Sequence, residues 1–137
     1  MNFNEKFLNE WREDAVMSDD LFDDARKIPI LHCKWLDKYQ RMVLLKKEAQ
    51  YAFHKLYKEK YSFFMGREEL APDVKIMKNE VPIYLNADEE LNKAQARLDL
   101  YDTYEKTLKE ILNNINNRSF QIKNAIDWLR YSRGIDE

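Results

Sequence analysis

An all-α fold is predicted by this 137-residue sequence. It contains only two glycines and three prolines, too few for a chain rich in turns or strands. Charged residues make up 35% and hydrophobic residues 45%, a mixture that suits amphipathic helices. Two long stretches also place apolar residues three and four positions apart, which puts them on one side of a helix.

The first half divides into two segments. Residues 1–28 predict short acidic N-terminal helices, and residues 29–66 predict one long basic and aromatic helix of about 30–65. Pro29 suits its start and Gly66 suits a left-handed C-terminal cap. The apolar side of the long helix comprises Leu31, Trp35, Tyr39, Met42, Leu45, Ala49, Phe53, Leu56 and Phe63.

The second half begins with a connecting loop over residues 67–86. Its sequence VPIYL (81–85) is compatible with one short extended segment. Asn86 is a candidate cap for a helix over 87–133, within a C-terminal oligomerisation segment of 87–137 that Gly134 can close. The asparagines at 113, 114, 116 and 117 weaken its middle, so a kink or break near Asn117 remains open.

These helix lengths favour an elongated subunit. Helices of about 36 and 47 residues span roughly 54 and 70 Å, whereas a globule of this chain length has a radius of gyration of about 14 Å. Such helices cannot bury their apolar sides on each other alone, so we expect self-association to complete the core. A kinked, compact bundle is the alternative.

Residue types that support catalysis are scarce. His32 and His54 lie 22 positions apart, Cys33 is the only cysteine, and two glycines cannot build a phosphate-binding loop. We therefore expect no enzyme, no catalytic or metal-binding residues and no cofactor. The start lacks the pattern of a signal peptide and no apolar run is long enough to span a membrane, so we expect a soluble intracellular protein.

Charge is unevenly distributed. Residues 1–25 carry a net charge of −6, whereas residues 26–60 hold ten basic and three acidic residues, a net of +7. A strip this unbalanced attracts polyanions, and lysines interspersed with aromatics are the ingredients of sequence-tolerant single-strand binding. On a helical wheel the strip comprises Lys34, Lys38, Arg41, Lys47, Lys55 and Lys58.

Two other interpretations of the charge pattern remain open. The lysines could merely solvate a helical structural or scaffold oligomer that binds no nucleic acid. The acidic residues 5–24 could instead compete with DNA for the strip, contact a basic partner, or form a solvated pair of helices.

Lys46 and Lys60 do not fit the strip, because both fall on the apolar side of the helix. Each either extends towards solvent or specifies register. Lys58 and Lys60 lie about 200° apart on a helix. One strand could reach both only if the helix frays before Gly66 or if a neighbouring subunit supplies the second wall.

Five stretches resemble the UvsY family of recombination mediators from T-even-type phages, in order and with little or no gapping. They are CKWLDKY (33–39), KKEAQ (46–50), YKEKYSFFMGR (57–67), LNADEEL (85–91) and NRSFQIKNAI (117–126). The resemblance implies a ring-like homo-oligomer, a hexamer or heptamer, that binds single-stranded DNA in the cytoplasm of the infected bacterial host. It implies a mediator that loads a RecA-like phage recombinase of the UvsX type in place of the phage single-strand binding protein.

The resemblance also assigns residues. Lys58 matches the lysine of the family's DNA-binding segment, Lys60 stands where the family has arginine, and Gly66 and Arg67 match its end. Lysine keeps the charge there but loses the planar guanidinium. The C-terminal part of the family self-associates, which assigns oligomerisation to the apolar residues Leu98, Tyr101, Leu108, Ile111, Ile115, Ile122, Ile126 and Leu129.

Overall fold

The computed structural model describes residues 3–66 and 76–134, which form six α-helices and one 3₁₀ turn over Lys78–Glu80. The helices are α1 (Phe3–Ala15), α2 (Leu21–Arg26), α3 (Ile28–Phe64), α4 (Val81–Ala87), α5 (Glu89–Asn116) and α6 (Arg118–Ser132). These ranges contain no strand, and the all-α prediction is confirmed.

The ends of α3 follow their local signals. Pro29 lies in its first turn, where a missing N–H and a fixed φ are both tolerated. Gly66 follows the last turn with φ of +74°, and its N–H donates to the Phe63 carbonyl at 3.0 Å. A left-handed cap of this kind strongly favours glycine, so the predicted helix end is confirmed.

Residues 81–85 are helical, and the extended segment suggested for them is wrong. They belong to α4, with Pro82 in its first turn. Val81 and Leu85 lie one turn apart and are only 1% and 4% exposed, packed together with Leu91. Burial of this pair on one side of a helix outweighs the preference of valine and isoleucine for strands.

The start of α5 is capped by a different residue from the one expected. Asn86 lies inside α4, and Asp88 takes the capping position instead. The Asp88 Oδ2 atom accepts a hydrogen bond from the Leu91 N–H at 3.0 Å, which satisfies one of the free donors of the first turn.

The long C-terminal helix is interrupted where the asparagines are concentrated. Helix α5 ends at Asn116 and α6 begins at Arg118. The buried Arg118 donates from its two Nη atoms to the Ala15 and Val16 carbonyls, at 2.9 and 3.1 Å. These bonds tie the start of α6 to the end of α1.

One compact unit combines Met1–Met42 with Thr103–Glu137. Its centre is Trp35, which is fully buried and meets the Trp11 ring edge-to-face at 6.0 Å between centroids. Phe7 makes a similar contact with Tyr104 at 6.2 Å. Helix α2 packs against α6 in this unit. The acidic N-terminal helices are therefore part of a core.

The second compact unit is Val43–Asp102. Its core contains Val81, Leu85 and Leu91, against which Phe53, Leu56 and Phe64 of α3 pack. Phe64 also lies 5.6 Å from the Tyr84 ring of α4. One side of α3 is therefore committed to packing, and the opposite side is left exposed.

Candidate nucleic-acid interface

The exposed side of α3 in the second unit carries three lysines. Lys47, Lys55 and Lys58 are all exposed, and so is Tyr51. At 100° per residue they lie within an arc of about 100°. We call this arc over residues 44–58 the outer face; its members are Leu44, Lys47, Tyr51, His54, Lys55 and Lys58.

The outer face is cationic, and its lysines have no partner in the part of the chain that the structure describes. The arc contains no acidic residue, since Glu48 and Glu59 fall beyond its edge. Within residues 3–66 and 76–134, Lys47, Lys55 and Lys58 form no ion pair or side-chain hydrogen bond. Their charges are therefore available to an anionic ligand.

The opposite side, which we call the inner face, holds the two lysines that did not fit the strip. The Lys46 Nζ atom lies 2.8 Å from Asp102. The Lys60 Nζ atom lies 3.3 Å from Asp88 and 3.4 Å from Glu90, and its side chain is 23% exposed. Both lysines thus bridge α3 to acidic residues of the elements that follow.

The pKa of Lys60 reports this pairing. Burial of the ammonium group acts to lower its pKa, but hydrogen bonding and attraction to Asp88, and then to Glu90, outweigh burial. The net result is a pKa raised above the ordinary value. The structure thus holds Lys60 in its charged form on a packed surface.

The fraying proposed for the end of α3 does not occur. The helix remains regular to Phe64, and the Met65 N–H still donates to the Tyr61 carbonyl at 2.9 Å. Packing of Phe64 against α4 explains why the last turn is held. Lys58 and Lys60 therefore point in different directions, and a DNA contact by Lys60 stays a prediction.

Two further lysines of the strip lie in the first unit, against acidic residues of the segment 5–24, which we call the acidic arm. The Lys34 Nζ atom lies 2.6 Å from Asp14 and 3.5 Å from Glu10, and the Lys38 Nζ atom lies 3.3 Å from Glu10. Asp14 also accepts from the Trp35 Nε1–H at 3.0 Å. The arm therefore places its acidic groups directly on the basic strip.

The pKa of Lys34 shows the same balance as that of Lys60. Burial acts to lower the pKa, whereas Asp14 and Glu10 raise it by more, so the net shift is upward. Both Lys34 and Lys38 are half-buried. Their availability to DNA depends on separation from these carboxylates.

Arg41 and Arg67 complete the predicted DNA-binding set. Arg41 pairs with Asp37 one turn away at 3.0 Å, and both side chains are largely exposed. A pair of this kind is weak and readily exchanged. Arg67 lies outside the described residues.

The predicted oligomerisation residues fall into three groups by exposure. Leu108, Ile111, Ile115 and Ile122 are buried within the first unit, and Leu98 and Tyr101 are half-buried in the second. Ile126 and Leu129 are exposed, and so are three aromatic residues of α6 that the apolar spacing did not select: Phe120, Trp128 and Tyr131. These three side chains are large and apolar, yet they lie off the apolar side of the predicted helix. That combination is the sequence signal that could have identified them.

Metal-binding groups and membrane-spanning helices were sought in the described ranges. There, no group of three or more histidine, cysteine or acidic side chains is arranged to hold a metal ion. None of the helices in the same part of the chain is long and apolar enough to cross a membrane.

A helix face whose lysines have no partner among the described residues is the electrostatic footprint of the class of helical proteins that bind polyanions. The family comparison specifies the class further. Residues 10–135 match the profile described as "Recombination, repair and ssDNA binding protein UvsY". The chain belongs to the UvsY family, and the resemblance noted in the sequence is confirmed.

Solved structures agree on the fold. One crystal structure of the bacteriophage T4 recombination mediator protein UvsY superimposes with a TM-score of 0.87 at 20% identity, covering 97% of this chain and 98% of that one. A second lattice form gives a TM-score of 0.84 at 20% identity, with coverage of 96% and 99%. No curated protein sequence matches significantly.

Proposed function

We propose that this chain is a recombination mediator that binds single-stranded DNA through the outer face of α3. Lys47, Lys55 and Lys58 contact phosphates. Family membership supports single-strand binding and a role in recombination. The observation that carries the residue assignment is the contrast within α3: outer-face lysines are unpaired in the described ranges, whereas inner-face lysines are paired.

Self-association is part of the proposal. Phe120, Trp128 and Tyr131 leave an aromatic surface exposed on α6, with the Trp128 and Tyr131 rings stacked at 6.0 Å. Large aromatic side chains left exposed in this way favour a protein contact. A ring-like homo-oligomer repeats one modest basic face, so its avidity exceeds the affinity of a single subunit by orders of magnitude.

The proposed action follows from that geometry. A strand held by several subunits is presented to a RecA-like recombinase, which the oligomer loads in place of the single-strand binding protein. The site of action is the cytoplasm of the infected bacterial host. A filament-assembly assay tests this step, with the recombinase and the single-strand binding protein added as partners.

A fluorescence titration with single-stranded DNA at several salt concentrations tests the binding itself. We expect affinity to fall as salt rises, with a slope of about −0.7 log units for each phosphate contacted. A scaffold oligomer that binds no nucleic acid predicts a stable assembly with no salt-sensitive affinity. That result would contradict the proposed function.

A further inference from the structure

We infer that Tyr51 is a base-stacking residue, so that the outer face binds unpaired bases as well as phosphates. This inference rests on the proposed function and specifies its ligand as a strand with free base faces. The ring lies between cations: Lys47 is one turn before Tyr51 and Lys55 one turn after it, each about 6 Å along the helix axis.

Tyr51 is unusually accessible to a ligand. It is 72% exposed, compared with 44% for Tyr57 on the same helix. Tyr57 packs against the Phe53 ring at 6.1 Å, and His54 meets the same ring edge-on at 5.8 Å. In the part of the chain that the structure describes, Tyr51 has no ring partner and no hydrogen bond.

An exposed tyrosine alone needs no explanation, because single apolar side chains are common on surfaces. Charge complementarity is what favours a nucleic-acid strand here. Three lysines that have no partner among the described residues share the outer face with Tyr51, and none of its members is acidic. An aromatic ring flanked by cations provides a stacking surface for a base while the lysines hold the phosphates on either side.

Stacking of a base on Tyr51 would distinguish single-stranded from double-stranded DNA. In a duplex the bases are already stacked on one another, and their faces cannot reach a tyrosine on a helix surface. In a single strand every base offers a π-face, whatever its identity. Tyr51 would therefore favour single strands without reading sequence.

The test compares two oligonucleotides with equal numbers of phosphates, oligo-dT and its abasic analogue, by fluorescence anisotropy at fixed salt. We expect the wild-type protein to bind oligo-dT about tenfold more tightly than the abasic strand. Tyr51→Leu should remove that preference and leave affinity for the abasic strand unchanged. Tyr51→Phe retains the ring and should restore the preference.

Tyr57→Leu is the matched control, since Tyr57 projects about 120° away from Tyr51; it should keep the preference for oligo-dT. Circular dichroism checks that each variant folds. Equal binding of both strands by the wild-type protein would overturn the inference but leave the proposed function. A preference for oligo-dT that survives Tyr51→Leu would overturn the assignment to Tyr51. Binding of neither strand would overturn the proposed function and the inference with it.

Discussion

Lys58 and Lys60 are two positions apart on α3, yet their surroundings differ completely. Lys58 is exposed on the outer face and unpaired within residues 3–66 and 76–134. Lys60 lies on the inner face between Asp88 and Glu90. A helix that turns by about 200° over two residues sends neighbouring lysines to opposite sides. We therefore expect pairing, rather than the number of positive charges in a segment, to determine which lysines bind a polyanion.

Lys34 and Lys38 form an intermediate case. They belong to the same helix, but the carboxylates of Glu10 and Asp14 already neutralise them. Binding of DNA there requires exchange of one anion for another. Availability thus falls from the outer face, through the arm-bound lysines, to the inner face.

The largest expected effect comes from removing all three outer-face charges. We expect the salt slope of single-strand binding to flatten in the triple variant Lys47→Gln, Lys55→Gln, Lys58→Gln. The change should be up to about 2.1 log units for each subunit that contacts the strand. Three exposed lysines elsewhere, changed as Lys78→Gln, Lys93→Gln, Lys109→Gln, alter the net charge equally and serve as the control. An equal flattening of the salt slope in both variants would show that the outer face contributes only general positive charge and no specific phosphate contacts.

Neutralising the acidic arm tests the intermediate case. Glu10→Gln with Asp14→Asn removes both carboxylates, while the amide oxygen introduced by the second substitution would still accept from Trp35. We expect Lys34 and Lys38 to become available, tightening DNA binding at low salt and steepening the slope by up to about 1.4 log units. Deleting the arm is a poorer test, because Phe7 and Trp11 pack into the core. An unchanged slope would place these two lysines off the path of the strand.

Removing Lys60 should affect stability rather than binding. We expect Lys60→Gln to lower the free energy of unfolding by about 1 kcal/mol, because a half-buried ion pair is lost. A double-mutant cycle with Asp88→Asn, which preserves the capping oxygen, isolates the coupling in urea denaturation. No coupling between the two positions would mean that the ion pair does not hold α3 to the start of α5.

A smaller effect is expected at alkaline pH. The pKa of Lys60 is raised in the folded state from its ordinary value of 10.5. The charge of Lys60 therefore contributes fully to stability below pH 10.5. This contribution is lost as the pH rises through the higher pKa of the folded state. The difference in unfolding free energy between wild type and Lys60→Gln should narrow when denaturation is repeated above that pH. A constant difference would show that the charge of Lys60 is not what stabilises the unit.

Local sequence signals predicted much of the fold. Gly66 and Gly134 both have positive φ and follow helix ends, and the break falls at Asn117, because caps and weak helix formers act within a turn or two. The helical state of residues 81–87 was missed, because it depends on Val81 and Leu85 packing against α3. Propensity cannot report a contact of that kind.

The candidate site was predicted only in part, for a similar reason. The helical wheel separates Lys58 from Lys60, but it cannot say what either one meets. Lys46 pairs with a residue 56 positions away, and Lys34 with one 20 positions away. Such partners are chosen by the tertiary fold, so an apparently continuous basic strip divides into available and neutralised lysines only when the structure is known.

The most direct test of this division is a comparison of Lys58→Gln with Lys60→Gln, two variants of equal net charge. Single-strand affinity is measured across a range of salt for both, with urea denaturation of the same preparations. We expect Lys58→Gln to flatten the salt slope by about 0.7 log units for each subunit that contacts the strand, without loss of stability. We expect Lys60→Gln to lose stability with the slope unchanged. Equal flattening by the two variants would contradict the division of α3 into a binding face and a packing face.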